Sequence, residues 1–481
     1  MVFSSIKFLF YFLPVVIALY FLTSVVFKKK YTLLNLILLL SSLIFYIEGE
    51  KGLVLVMIFS GTVDYFLGLY ISNIYKKNPG NEKPVPMQKF GLLFSIIINL
   101  GVLFYFKYSN FFIEEVNYLL QNIFHSSSQI DYLNVTLPLG ISFYTFQSMS
   151  YTIDIYYRNV EANRNYLDYT CFITMFPQLV AGPIVRYKDI ETQLRDREHS
   201  YELMASGFKR FTLGLAKKVI IANFIAYYAD EIFSLKASTL DMPLAWIGAF
   251  CYSLQIYFDF SGYSDMAIGL GKIFGFHFPE NFNYPYIAKS VQDFWRRWHI
   301  SLSSWFRDYL YIPLGGNKGK PFHVYRNLFI VFILCGFWHG ASFTFVIWGL
   351  YHGFFLFMER FLKDNVNLNL PDAIKHMYTV FVFIFGWVIF RSENNSQLYF
   401  YLEKMVSFNF EQGDTVIRII TESKFVIAAL LGIIFSIPVF PYFSQKTKDR
   451  YLYSLLYLIL FIICCISLIG DDYNPFIYFR F

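Results

Sequence analysis

The chain runs to 481 residues, 56% of them hydrophobic and 15% charged, with a formal net charge of +6. A soluble domain carries roughly 25% charged residues, so this composition excludes a water-soluble globular protein, and the positive balance reads as membrane topology rather than nucleic-acid binding. Cys171, Cys251, Cys335, Cys464 and Cys465 sit in apolar surroundings with no CxxC or ligand-like spacing; they read as small hydrophobes, and neither a disulfide framework nor a bound metal is supported.

A bilayer core needs about 20 apolar residues per helix, and by that measure the sequence offers on the order of eleven to thirteen membrane segments. The first, Phe8 to Phe27, is followed by Lys28-Lys29-Lys30. Its charge lies after the apolar core, the reverse of a cleaved signal peptide, so it is expected to stay as a transmembrane helix with its start outside and Lys28 to Lys30 in the cytoplasm. Leu33 to Ile47 leads to the acidic turn Glu48-Gly49-Glu50, and Leu53 to Tyr75 returns to a basic, Pro/Gly-punctuated loop, Lys76 to Lys89. Phe90 to Phe106 goes back out, and Phe111 to Phe124, with Glu114, Glu115 and Asn117, reads as an interfacial amphipathic helix. Val135 to Tyr157 ends at Arg158 and Arg164, inside again.

The middle is less regular. Cys171 to Val185 is apolar but short and carries Pro177, Gly182 and Pro183, which suggests a re-entrant segment, allowed at membrane depth only where protein or a water-filled cavity surrounds it. Phe211 to Tyr228 and Pro243 to Phe260 form an outward and return pair. Pro279 to Arg326 has no clean span, and apolar segments resume at Asn327 to Trp338, Ser342 to Met358, Met377 to Phe390, Phe425 to Phe440 and Tyr451 to Ile469. Lys446, Lys448 and Arg450 are expected inside and Asp471 to Phe481 outside. The expected fold is all-α, one polytopic membrane domain over residues 1–481, with no internal repeat and no soluble domain.

Two histidines stand out. His299 lies in the arginine-rich run Phe294 to Ser303, and His339 ends the nearly uncharged run Asn327 to Trp338. Ionisable groups at membrane depth are costly and are functional candidates by default; imidazole is also suited to moving a proton near neutral pH. Taken as one helix, Asp293 to Leu310 places Trp295, Trp298, Leu302, Trp305 and Tyr309 on an apolar stripe, with Arg296, Arg297, Ser303, Arg307 and Asp308 on other faces. Such a helix is either an interfacial anchor with snorkelling arginines or the lining of a polar tunnel. The following Tyr311 to Lys318 contains Gly315-Gly316-Asn317 beside Lys318 and Lys320; a glycine loop next to cations suits phosphate oxygens, though Gly-Gly alone is weakly diagnostic. His352, Asp259, Tyr263 and Asp265 are read as structural. HExxH, P-loop, GxSxG and Asp-His-His-Cys motifs are missing.

Phe294 to Ser303, Trp305 to Asn317 and Gly336-Phe337-Trp338-His339-Gly340 together resemble the membrane-bound O-acyltransferase family, in its alginate O-acetyltransferase-like branch. Phe176 to Arg186, Ile141 to Gln147 and Glu280 to Tyr286 match the same branch. The resemblance runs the length of the chain and implies a helix bundle around a central tunnel, with His339 as the essential histidine and His299 as the second tunnel histidine. The Tyr311 to Asn317 run separates this chain from the relatives that move D-alanine onto teichoic acid. Pro475 to Phe481 is similar to the tail of a small partner in that D-alanine system, where a terminal tyrosine is proposed to relay the acyl group. Here the last residue is Phe481, so the segment is read as a docking peptide or an ordered terminus.

What the resemblance implies is transfer of an acetyl group across the cytoplasmic membrane. The donor would be a thioester, most simply acetyl-CoA as a substrate with no bound cofactor, or an acyl carrier protein. It would dock among Arg296, Arg297, Trp298, Ser303, Arg307, Asp308, Asn317, Lys318 and Lys320, with Arg and Lys suited to its phosphates. His339 would act as general base or brief nucleophile, with His299 beside it. The acceptor implied is an extracytoplasmic polysaccharide, reached directly or through an SGNH/esterase-like partner protein. Alternatives are acylation of teichoic acid, peptidoglycan, lipid or protein, or a proton-coupled transporter using the two histidines.

Overall fold

The computed structural model describes residues 1–28, 30–77, 84–366, 370–439, 450–470 and 473–477, and among these every regular element is helical. Lys446 and Lys448, and the last residues from Tyr478 to Phe481, lie outside the described residues. Among the described residues, seven helical stretches are long and apolar enough to cross a membrane: Phe8–Val26, Tyr31–Lys77, Pro86–Asn122, Pro321–His339, Phe343–Asn365, Asp372–Arg391 and Leu452–Gly470. Their outer faces carry exposed Leu22, Leu55, Phe66, Ile97 and Ile466, surface that water would penalise and lipid does not. This is a multi-pass, all-α membrane protein.

The larger number of segments expected from hydropathy includes helices that the protein itself encloses. Ile141–Tyr156 is buried on every face from Ile141 to Ile155, polar residues included, so its surroundings and not lipid set its composition. Phe111 to Phe124 is not a separate interfacial helix either: Ser109–Asn122 continues Pro86–Leu103 through a π-helical turn at Phe104–Tyr108.

The chain divides into two compact units, residues 1–205 with 270–279, and residues 206–269 with 280–481. The first holds a buried polar knot in which Asp64 accepts from Ser95 at 2.6 Å, Asn99 at 2.7 Å and also Ser148. Its broken segment is wholly enclosed. Tyr166–Thr174 stops at Met175, a short Phe176–Leu179 turn follows, and the Phe176 amide donates to Ser42 Oγ at 2.9 Å, which satisfies irregular backbone as membrane depth requires.

The second unit carries both candidate histidines. Residues 242–269 of the Met242–Ile273 helix, the helices Pro321–His339 and Phe343–Asn365, and Asp372–Arg391 form its frame. The stretch expected as one helix from Asp293 to Leu310 is interrupted. Val291–Arg297 ends at Trp298, His299 takes left-handed angles (φ 44°, ψ 56°), and Ile300–Phe306 begins in a new direction before a π-helical turn at Arg307–Tyr311. A non-glycine residue in that region costs energy that its surroundings must offset.

Candidate active site

The break at His299 is built by Asn281. The Ile300 amide donates to the Asn281 backbone carbonyl at 2.9 Å. The Ser301 amide and hydroxyl donate to Asn281 Oδ1 at 3.2 and 2.8 Å. On the other side of the break, the Asn283 amide donates to the Arg297 carbonyl at 2.9 Å. These bonds supply partners for backbone groups that a continuous helix would have satisfied internally.

They also set the state of the imidazole. Asn281 Oδ1 already accepts from a backbone amide, so the atom 3.0 Å from His299 Nδ1 is an acceptor and Nδ1 carries the proton. Burial pushes the His299 pKa down to about 3, so the ring is neutral with Nε2 in the acceptor state. The ring sits edge-to-face on Phe260 at 4.6 Å and 6.2 Å from Trp338.

His339 is the last residue of Pro321–His339 and is 5% exposed. Aromatic rings surround it: Trp338 at 5.0 Å, Phe390 at 5.0 Å and Trp348 at 5.3 Å. The following helix can pack this closely because Gly336 and Gly340 lack a side chain. A Cβ on Gly336 would lie 2.2 Å from the Phe345 carbonyl oxygen, and one on Gly340 2.1 Å from the Phe345 ring. A cavity of about 10 Å3 adjoins His339, lined by Ile256, Phe260, Trp298, Trp348, Trp387, Phe390 and Ile477. That is room for about one water or one methyl group. Phe260 thus touches His299 and lines the cavity of His339, so one aromatic side chain joins the two histidine sites.

A second cavity, of about 890 Å3, opens at the other end of the same helices. Lys289, Arg307, Arg360, Lys363 and Lys375 give it five cations against Glu359 and Asp364, over a floor that includes Leu328, Val331 and Phe354. Val331 and Leu328 precede His339 by 8 and 11 residues on one helix, a rise of roughly 12 to 16 Å. Trp295 packs on Trp348 at 5.4 Å and on His352 at 4.9 Å, and Trp348 in turn packs on His339.

The expected site residues divide between these places. His339 and Trp298 line the small cavity, while Ser303, Arg307 and Asn317 line the large one. Arg296, Arg297, Asp308 and Lys318 line neither. Arg297 Nε is held 3.0 Å from both oxygens of Asp293, and its Nη1 donates to the Asn283 carbonyl. Asp308 accepts from Arg307 at 2.7 and 3.2 Å. Arg296 and Lys318 are exposed.

Sequence reading missed Asn281, the fulcrum of the break, although it lies in the Glu280 to Tyr286 motif. It also missed Lys289, Arg360, Lys363 and Lys375. Positive charge in the last turn of Phe343–Asn365 and in the first turn of Asp372–Arg391 was the available signal. Glu359 is integral to the same wall: it accepts from the Val291 and Gln292 amides at 2.6 and 3.0 Å, capping the helix that leads to His299. Among the described residues, no cluster of His, Cys, Asp and Glu is arranged to hold a metal ion.

Comparison with known proteins identifies the family. Residues 158–401 match the membrane-bound O-acyltransferase family. The chain is 40% identical to the probable alginate O-acetylase AlgI of Pseudomonas putida over the full length of both chains. It is 44% identical to the probable alginate O-acetylase AlgI of Pseudomonas aeruginosa over 85% of this chain and 75% of that one. It is 37% identical to the peptidoglycan O-acetyltransferase of Helicobacter pylori over 85% of this chain and 80% of its relative. The chain therefore belongs to the membrane-bound O-acyltransferase family and is an O-acyltransferase.

Proposed function

We propose that this enzyme takes an acetyl group from a cytoplasmic thioester, acetyl-CoA or an acylated carrier protein, and delivers it through the membrane to a polysaccharide hydroxyl outside. The observation that carries the reading is that His339 and the five-cation cavity share one helix at a separation an extended thioester arm can bridge. In this reading the cations face the cytoplasmic side by the positive-inside rule and His339 lies toward the far leaflet. The basic run Lys28 to Lys30 after the first helix, by the same rule, supports a start outside the cytoplasmic membrane, and we place the other end of the chain outside as well. Lysine and arginine over an apolar floor suit the phosphates of the donor and its slender apolar arm.

In the reaction, the acceptor oxygen attacks the thioester carbonyl as His339 takes its proton. The carbon–sulfur bond breaks, the thiolate leaves, and the imidazolium returns the proton to sulfur. The products are an ester and a free thiol. His299 is neutral and held by Asn281; its role is to orient a hydrogen-bonding partner rather than to exchange protons. Holding both substrates in one narrow space supplies much of the acceleration.

The acceptor class comes from the alginate O-acetylases; an SGNH/esterase-like protein outside the membrane is the intermediate acceptor we favour where the polymer is too large to enter. The peptidoglycan O-acetyltransferase relative keeps peptidoglycan as the second acceptor. The test is membrane vesicles containing the chain, supplied with labelled acetyl-CoA. Label is expected in the polymer fraction with wild-type protein and to be lost in His339→Ala, with the variant folded by size-exclusion chromatography. Retained labelling in that variant refutes the assignment.

A further inference from the structure

One wall of the His339 cavity comes from outside the helical frame. Ile477 lies in the segment Tyr473 to Ile477, which follows the last membrane helix, and is 5% exposed. The neighbouring Phe476 packs on Tyr263 with ring centres 4.8 Å apart.

A buried ion pair holds this segment. Lys218 Nζ lies 2.7 Å from Asp259 Oδ1, and each residue is 1% exposed. Each charge also binds the segment's backbone: Lys218 Nζ donates to the Pro475 carbonyl, and the Ile477 amide donates to Asp259 Oδ2 at 2.8 Å. Further out, the Tyr473 hydroxyl donates to Asp230 Oδ2 at 2.6 Å, and Asn223 Nδ2 donates to Asn474 Oδ1 at 3.1 Å. Two charges taken out of water are tolerated when their remaining hydrogen-bonding capacity is satisfied. Here the segment gives each charge one further partner, so the pair and the segment support each other. The consequence is a fixed position for the Ile477 side chain.

Most other apolar walls of the cavity are rings packed on rings. Trp387 stands 4.6 Å from Trp298 and 5.8 Å from Phe390, and Trp348 5.3 Å from Phe390. Truncating one of them removes support from several neighbours. Ile477 presents a branched aliphatic group from a separately anchored backbone, and shortening it enlarges the cavity while the ring cluster keeps its contacts.

We propose that Ile477 is the residue that limits the transferred acyl group to two carbons, closing the space beyond the methyl position of a thioester aligned on His339. This rests on the thioester-donor reading above. The cavity admits one methyl-sized group, and each further methylene has to displace Ile477. Discrimination by a single methylene in an apolar pocket is worth about 10- to 200-fold, so one side chain suffices.

The experiment measures thiol release by the full-length protein in membrane vesicles given acetyl-CoA or butyryl-CoA. Wild type is expected to favour acetyl-CoA strongly. Ile477→Ala should raise the butyryl-to-acetyl ratio by about tenfold or more. Ile477→Val, which removes one carbon and preserves packing, should give a smaller rise in the same direction, and Ile477→Phe should slow acetyl-CoA turnover. Wild type that releases no thiol from acetyl-CoA overturns the donor reading, and this inference falls with it. Normal acetyl-CoA turnover with an unchanged ratio in both the Ala and Val variants overturns the inference alone.

Discussion

The two cavities differ in nearly every physical respect. One holds about 890 Å3 and presents five cations; the other holds about 10 Å3 and is walled by aromatic rings around a single imidazole. A large charged cavity can recognise a polyanion and leave its geometry loose. A small apolar one can do little recognition, but it fixes the reacting atoms and excludes water, where orientation and electrostatics gain most. The separation predicts that substitutions in the two places will change different kinetic constants.

The largest effect is expected at the small cavity. His339→Ala should lower kcat by roughly 10^2- to 10^4-fold, the usual contribution of a general base, and leave KM for the thioester nearly unchanged. A rise in KM with kcat preserved would make His339 a binding residue and erase the contrast between the cavities.

Next comes the support of His299. Asn281→Ala removes the acceptor for His299 Nδ1 and for the Ser301 amide and hydroxyl at once. Buried donors left without partners cost about 1–3 kcal/mol each, and we expect a lowered melting temperature together with lost activity. The same imidazole gives stability a pH dependence. Its pKa is about 3 in the folded chain against an ordinary 6.5, so between these values the unfolded chain binds a proton that the folded chain does not. Stability from this source is intact above about pH 6.5 and declines as pH falls toward 3. Thermal unfolding of His299→Gln in detergent should therefore depend less on pH between 6.5 and 4 than that of wild type; equal slopes would mean the ring is not held neutral.

The sequence carried the architecture unevenly. Long apolar runs such as Phe8–Val26 and Asp372–Arg391 were legible because lipid imposes length and hydropathy on them. Ile141–Tyr156 was legible as a helix but not as an enclosed one, since burial in protein relaxes the demand for apolar side chains on every face. The apolar stripe through Trp295, Trp298 and Leu302 has helical spacing and gives no sign of the break at His299. That break is made by Asn281, eighteen residues away, and local periodicity carries no information about a distant partner. Charge was misleading for a related reason. The arginines cluster at 296, 297 and 307, yet Asp293 and Asn283 engage Arg297, while cations from three other stretches of chain converge on the large cavity. Ile477 lay in a run read from sequence as a docking peptide or an ordered terminus, which says nothing of where it packs; its anchoring by Lys218 and Asp259 brings it to the site.

At the large cavity, Arg360→Glu should raise KM for acetyl-CoA by about tenfold with little change in kcat, since it reverses one charge among several at a site that binds rather than reacts. The Arg360 guanidinium also donates to Asn317 Oδ1 at 2.9 Å, and Tyr311 donates to the same oxygen at 2.7 Å. Part of the effect therefore comes through loosening of the glycine loop, and Arg360→Gln separates the two contributions because its amide can still donate. A matching fall in kcat would mean that the loop reaches the reacting atoms.

Arg296→Ala marks the lower end of the scale and is the sharpest check on where the donor sits. By sequence, Arg296 belongs with Arg297 and Arg307 as a phosphate contact; in the structure it is exposed and lines neither cavity. A surface substitution of this kind changes stability by no more than about 0.5 kcal/mol, and KM for acetyl-CoA should be unaltered at moderate salt. If Arg296→Ala raises KM as much as Arg360→Glu does, the donor lies along the Val291–Arg297 helix instead of in the large cavity. The thioester would then approach His339 past Trp298 and not past Trp295 and Trp348.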